Sequence, residues 1–84
     1  MRYQITARAG STFDQFVVEA ESYTTAANAA LLVLYPRRVA VRARRQTGDP
    51  THSGVFQGYR HVRSTAGHAV STSIGGNFHV TTAD

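Results

Sequence analysis

One stretch of this chain, and only one, repeats with the period of a helix. Between Ser22 and Pro36, the residues Tyr23, Ala27, Ala30 and Leu34 recur at helical spacing, flanked by Ala26, Leu31 and Val33. Ser22 is a good N-cap, because its hydroxyl can accept an amide N–H that the first turn leaves unbonded. Pro36 blocks continuation and pushes Tyr35 out of helical geometry. A helix is therefore predicted from Tyr23 to about Leu34. Its inner face is rich in alanine, and small side chains let a helix lie close on a sheet. Leu32 falls with Thr25 and Asn28 on the far side; a lone exposed leucine there is ordinary.

Elsewhere the pattern is that of strands. Met1 to Ala9 alternates, with Tyr3, Ile5 and Ala7 on one face and Arg2, Gln4, Thr6 and Arg8 on the other. Gly10 and Ser11 make a turn. Phe13 to Ala20 reads as a second strand, with Phe16, Val18 and Ala20 inward. After the helix, Val39, Val41 and Ala43 alternate with Arg38, Arg42 and Arg44, giving a strand with one apolar and one basic edge. Thr47 to Gly54 is a loop built on Gly48, Asp49 and Pro50. Val55 to Arg63 is a fourth strand of mixed pattern, and His68 to Ile74 a fifth. Gly75, Gly76 and Asn77 read as a tight hairpin turn, from which Phe78 to Thr82 returns as a last short strand.

The expected architecture is α+β, in the order ββαβββ(β): a single helix packed on one face of an antiparallel sheet. Short turns favour antiparallel pairing. One amphipathic helix covers only one face of such a sheet, so the opposite face is either solvated or binds something.

With 84 residues the chain is expected to form a single domain, 1–84, with an adequate but thin core. That leaves little room for a deep catalytic cleft. There is no cysteine, which excludes disulfides, zinc thiolate sites and thiol nucleophiles. Nothing near Met1 resembles a signal peptide, and the longest apolar stretch, Ala29 to Tyr35, is far short of a membrane span. A soluble protein of a bacterial cytoplasm is expected, with no membrane partner. The net charge is +4, and all nine basic residues are arginine. Arginine's planar fork binds phosphates and carboxylates through paired hydrogen bonds. An acidic partner is favoured, and mimicry of DNA is not.

Little here supports catalysis. The histidines at 52, 61, 68 and 79 are not paired at helical spacing, and no carboxylate sits near two of them. No metal, cofactor or small-molecule substrate is expected. The five acidic residues are scattered, which leaves a two-carboxylate mechanism unsupported. The glycines at 75 and 76 are followed by no Gly-Lys-Ser or Gly-Lys-Thr, so they form no phosphate loop. A metal-free ribonuclease toxin, using His61 and His79 with Tyr59, Arg60 and Arg63, stays as one alternative.

The segment Phe56 to Arg63 mixes aromatic rings with arginines on a strand. Sheets that bind single-stranded nucleic acid use that combination, with bases stacked on rings and arginines on phosphates. Protein interfaces are rich in the same residue types. A small nucleic-acid-binding regulator of a phage or mobile element is thus a second alternative.

The run Ser53-Gly54-Val55-Phe56-Gln57-Gly58-Tyr59-Arg60-His61-Val62, with the ending Gly75-Gly76-Asn77-Phe78-His79-Val80, resembles a family of phage-encoded anti-CRISPR proteins, in particular those described as inhibitors of the type I-E system. Phe16-Val17-Val18-Glu19-Ala20 and the alanine-rich helix fall in the same order, so the resemblance covers roughly residues 13 to 80. It implies a stoichiometric, non-enzymatic inhibitor that binds a multisubunit type I CRISPR surveillance complex, Cascade, through one of its Cas subunits. Two routes follow: blocked recruitment of the helicase–nuclease, or interference with DNA handling, the latter leaving room for contact with bound RNA or DNA.

Among the motif positions, Phe56 and Phe78 are expected in the core. Gln57, Tyr59, His61 and Arg63 share one side of a strand and are the expected contact residues. Arg60, His79, Arg42 and Arg44 complete the expected partner-binding set.

Overall fold

The computed structural model of the protein describes residues 1–9, 12–38, 40–63, 67 and 69–83; the side chains of Ala9, Thr12, Val62, Arg63 and Ala69 lie outside that description. Five strands and one helix follow one another as β1 (Arg2–Ala9), β2 (Thr12–Glu19), α1 (Tyr23–Leu34), β3 (Val41–Thr47), β4 (Gly54–Arg63) and β5 (Ala69–Thr82). The strands make one sheet in the order β2-β1-β5-β4-β3, and every neighbouring pair is antiparallel. The fold is α+β, with the helix on one face of an antiparallel sheet.

The chain leaves β2 at one edge of the sheet and enters β3 at the other. The link between them is α1, which must therefore cross a whole sheet face. Its start is fixed as the sequence requires: the Thr25 N–H donates to Ser22 Oγ at 3.1 Å. Its last turn closes with the Tyr35 N–H on the Leu31 carbonyl at 2.8 Å. Ala26, Ala27, Ala30 and Leu31 are buried against Tyr3, Ile5, Phe56, Phe78 and Val80. The rings of Phe56 and Phe78 stack with centroids 6.1 Å apart. Both motif phenylalanines thus enter the core, as expected. Close approach of helix and sheet needs a gap as well as alanines. Gly58 supplies it, because a Cβ there would lie 2.8 Å from Leu31 Cδ2.

Four expectations are corrected. Gly75 to Asn77 does not turn the chain back. Residues 69–82 form one continuous strand, whose two halves both pair with β4. Phe56 is opposite Phe78 and Gly58 opposite Ile74, so two steps on β4 face four on β5. The surplus is taken up as a bulge, with Gly75 in the left-handed region at φ +66°. Tyr35 fills the space where a side chain at Gly75 would stand. A glycine pair gives the conformational freedom of a hairpin turn, but here a longer partner strand uses it for a bulge.

The third strand begins at Val41, not before it. Arg38 stays in the turn after the helix, its N–H donating to the Tyr35 carbonyl at 3.1 Å, and Ala40 takes a positive φ of 57°. Arg38 therefore does not extend the row of Arg42 and Arg44. Val39, expected in that strand, lies outside the described residues, as does His68.

Asn28 shares a side of the helix with Thr25 and Leu32, as expected, but that side borders the β3 edge and leaves Asn28 half-buried. The helix lies toward the β3 edge, and Asn28 Oδ1 accepts the Ala43 N–H at 2.9 Å. Leu32 remains 71 % exposed, and Val33, expected to flank the core, is exposed as well.

Candidate functional site

Strand alternation and the register together assign the side chains to two faces. Phe56 and Gly58 point toward the helix. Their neighbours Val55, Gln57, Tyr59 and His61 therefore belong to the face that α1 leaves open. Register carries this face across the sheet. Tyr59 is opposite Arg42 on β3 and Ser73 on β5; His61 is opposite Ser71; Val55 is opposite His79; and His79 is opposite Thr6 on β1. Arg44 lies opposite Gln57. On the far side, Arg2 and Arg8 of β1 face Glu19 and Phe13 of β2.

Six of the eight residues expected to bind a partner, Gln57, Tyr59, His61, His79, Arg42 and Arg44, thus share one surface. Arg60 does not. It is paired with Val41, which packs on the core, so Arg60 lies on the helix side of the sheet. One position of alternation separates it from Tyr59 and His61, and that is enough to reverse its face. Arg63 belongs to β4 by its backbone, and its side chain is outside the described residues.

Each of these side chains has a definite local setting. The Arg44 guanidinium lies over the Tyr59 ring, 4.6 Å from its centroid. His61 Nδ1 is 2.9 Å from Ser71 Oγ. Gln57 Nε2 donates to Ser73 Oγ, and also to the Gly75 carbonyl at 3.2 Å. Gln57 therefore stitches β4 to the bulge of β5 as well as facing solvent. Arg42, Arg44, His61 and His79 are exposed, while Gln57 and Tyr59 are half-buried.

Sequence reading alone did not single out Arg8 and Phe13. The Arg8 guanidinium lies over the Phe13 ring at 5.7 Å, and Phe13 is 52 % exposed. This repeats, on β1 and β2, the arrangement of Arg44 and Tyr59. The alternation of the first strand had already put Arg8 on its polar side. Missing was the strand order, which joins β1 to β5 and so makes both pairs part of one surface.

The face is electropositive. It carries Arg2, Arg8, Arg42 and Arg44, with Glu19 as its one carboxylate among the described residues. No arginine forms an ion pair among the described residues; the one acid–base side-chain contact within 4 Å is His52 Nδ1 to Asp49 Oδ1, 3.7 Å, in the β3–β4 loop. His61 and His79 stand six positions apart along β4, the latter through its partner Val55, or roughly 20 Å. Two groups so separated cannot act as acid and base on one phosphodiester. Among the described residues no three His, Cys, Asp or Glu side chains come together as a metal site.

No protein-family model matches the chain, and no curated protein is similar enough to count as a relative.

Proposed function

We propose that this chain is a binding protein that inhibits a type I CRISPR surveillance complex, of the I-E type that the motif resemblance implies, by docking the open face of its sheet on that complex. One observation carries the reading. The residues of the resemblance divide by face: Phe56 and Phe78 build the core, whereas Gln57, Tyr59, His61 and His79 lie together on the solvent side with Arg42 and Arg44. A motif that served only the fold would need no such exposed row. A basic sheet surface that includes a half-buried tyrosine has the composition of an interface hot spot.

Inhibition follows from occupancy. A small domain seated on the complex either covers the surface that handles target DNA or keeps the helicase–nuclease away. The test is capture of Cascade by the tagged protein from cells that express it, followed by a gel shift of target DNA with the captured complex. Capture with loss of the shift means a block of DNA handling; capture with the shift retained and nuclease recruitment lost means the second route. Absence of capture from cells with abundant type I-E complex overturns the proposal.

A further inference from the structure

The open face carries two arginine–aromatic layers, and they are similarly built. Arg44 covers Tyr59 across β3 and β4; Arg8 covers Phe13 across β1 and β2. From the strand order and register, the two layers are three strands apart laterally and a few residues apart along β5, so that roughly 15 Å separates them. Between them lie small or neutral polar groups, including Thr6, Ser73 and Gln57, rather than bulky or acidic side chains. We infer that this surface binds a single strand of nucleic acid, with the backbone held by Arg8, Arg42 and Arg44 and bases stacked at Tyr59 and Phe13. The inference rests on the docking face just proposed and names what that face meets: exposed RNA or displaced DNA rather than a protein groove.

Three features favour a strand of nucleic acid over an acidic protein. First, among the described residues the guanidinium groups of the face have no hydrogen-bond acceptor. Inward-facing Arg45 donates to the Thr47 and His52 carbonyls at 3.2 and 3.0 Å, whereas the guanidinium groups of Arg8, Arg42 and Arg44 donate no hydrogen bond among the described residues. Their donors remain available for phosphate oxygens, which arginine binds in pairs. Second, each ring is paired with a guanidinium over it, and bases stack on guanidinium planes as well as on rings. Third, an uncovered sheet face suits an unpaired strand. A duplex is read by an element that enters a groove, and the helix here lies on the opposite face.

The experiment is fluorescence anisotropy of the full chain with a labelled mixed-sequence RNA oligonucleotide, the matching single-stranded DNA, and the corresponding DNA duplex, at low and at physiological salt. Both single strands are expected to bind more tightly than the duplex, with affinity falling as salt rises. Tyr59→Leu and Arg44→Gln should each weaken binding by about tenfold, within the range for loss of one base–ring stack or one phosphate contact. Tyr59→Phe, which keeps the ring, should bind as the parent does, and this separates stacking from a fold defect. Arg37→Gln removes the same charge from an exposed turn off the sheet and should have much less effect than Arg44→Gln. Equal binding of duplex and single strands, equal losses for Arg37→Gln and Arg44→Gln, or no binding even at low salt would each overturn the inference. Capture of Cascade without any binding of oligonucleotide leaves the docking proposal standing and makes the contact a protein one. Binding of oligonucleotide without capture of Cascade does the reverse.

Discussion

The guanidinium of Arg45 lies 4.6 Å from the centroid of the Phe56 ring, on the inner face of the sheet, while that of its neighbour Arg44 lies 4.6 Å from Tyr59 on the outer face. Consecutive residues of one strand thus send the same side chain to opposite environments. Arg45 also lies over Tyr23 at 5.8 Å and donates to two carbonyls. Gly54 leaves the space it occupies, since a Cβ there would run into the guanidinium and lie 2.6 Å from the Thr47 carbonyl oxygen. Arg45 closes the end of the core where the helix begins.

This pair gives the first prediction. Arg45→Ala should lower stability by about 1–3 kcal/mol, through the lost ring contacts and the carbonyls left without their donor. Arg45→Lys should recover only part of that, because an ammonium does not lie flat on two rings while reaching two acceptors. Arg44→Ala should stay within about 0.5 kcal/mol of the parent, as exposed substitutions usually do. Urea unfolding of the three variants measures all of this.

Close packing of helix on sheet is the second target. Gly58→Ala puts a methyl 2.8 Å from Leu31 Cδ2 and 3.3 Å from Val41 Cγ1, and Leu31 is too buried to swing aside. Ala30→Phe overfills the same layer from the helix side, where Ala30 is fully buried. Each should cost on the order of 1–3 kcal/mol. Thermal melts that matched the parent would mean that the helix sits further from β4 than described.

How legible was this in the sequence? The extent of the helix and its alanine face were, because Ser22 and Pro36 mark its ends; the exposure of Val33 and the reach of Asn28 to β3 were not. The two faces of β4 were legible once Phe56 was assigned to the core, and that assignment put Gln57, Tyr59 and His61 outward together. Arg60, named as a contact residue although the same alternation turns it inward, shows the cost of reading composition ahead of period. Gly75 and Gly76 were misread because a left-handed glycine serves a hairpin or a bulge equally well; only the partner strand decides. The second arginine–ring pair could not be placed on this surface, since Arg8 and Phe13 join it through strand order, a long-range property that local periodicity does not carry.

Asn28 bears on the free edge of the sheet. Strand β3 is an edge strand, and such edges invite pairing with another chain. By holding the Ala43 N–H, Asn28 withdraws one donor from that edge. Asn28→Ala should cost about 0.5–1.5 kcal/mol for the lost hydrogen bond. It should also promote self-association, read as a concentration-dependent shift in sedimentation velocity. Sedimentation unchanged at every concentration would show that the rest of the edge is protection enough.

The β3–β4 loop gives a pH dependence. Asp49 accepts the Thr51 hydroxyl at 2.6 Å and the Thr51 N–H at 2.9 Å, and these two bonds, the hydroxyl's foremost, hold its carboxyl below the usual aspartate value. A lowered folded value means that the contribution is complete above the unfolded pKa and is lost as pH falls through the folded one. The Asp49 carboxyl carbon, followed by NMR, should therefore titrate below the ordinary aspartate midpoint. In Thr51→Val, which removes the hydroxyl but keeps the N–H, the midpoint should move back upward.

Tyr59 offers the sharpest test of the open face. It is half-buried, covered by Arg44, opposite Arg42 and Ser73, and lies near the middle of the row that runs from Val55 to His61. A tyrosine loses little conformational entropy for the area it presents, so its truncation in an interface removes a large share of the contact. Because its ring is outside the core, Tyr59→Ala opens no cavity beneath the helix and should leave the melting temperature nearly unchanged. Binding to isolated Cascade, followed by surface plasmon resonance, should weaken by roughly 1–3 kcal/mol, the range of interface hot spots. Arg44→Ala should weaken it as well, and the double variant should lose less than the two single losses added, because the residues touch. Arg37→Ala, off the sheet, is the charge-matched control and should bind as the parent does. If Tyr59→Ala binds normally while Arg37→Ala does not, the docking surface is the helix side of the molecule, and the open face must be relieved of the role assigned to it.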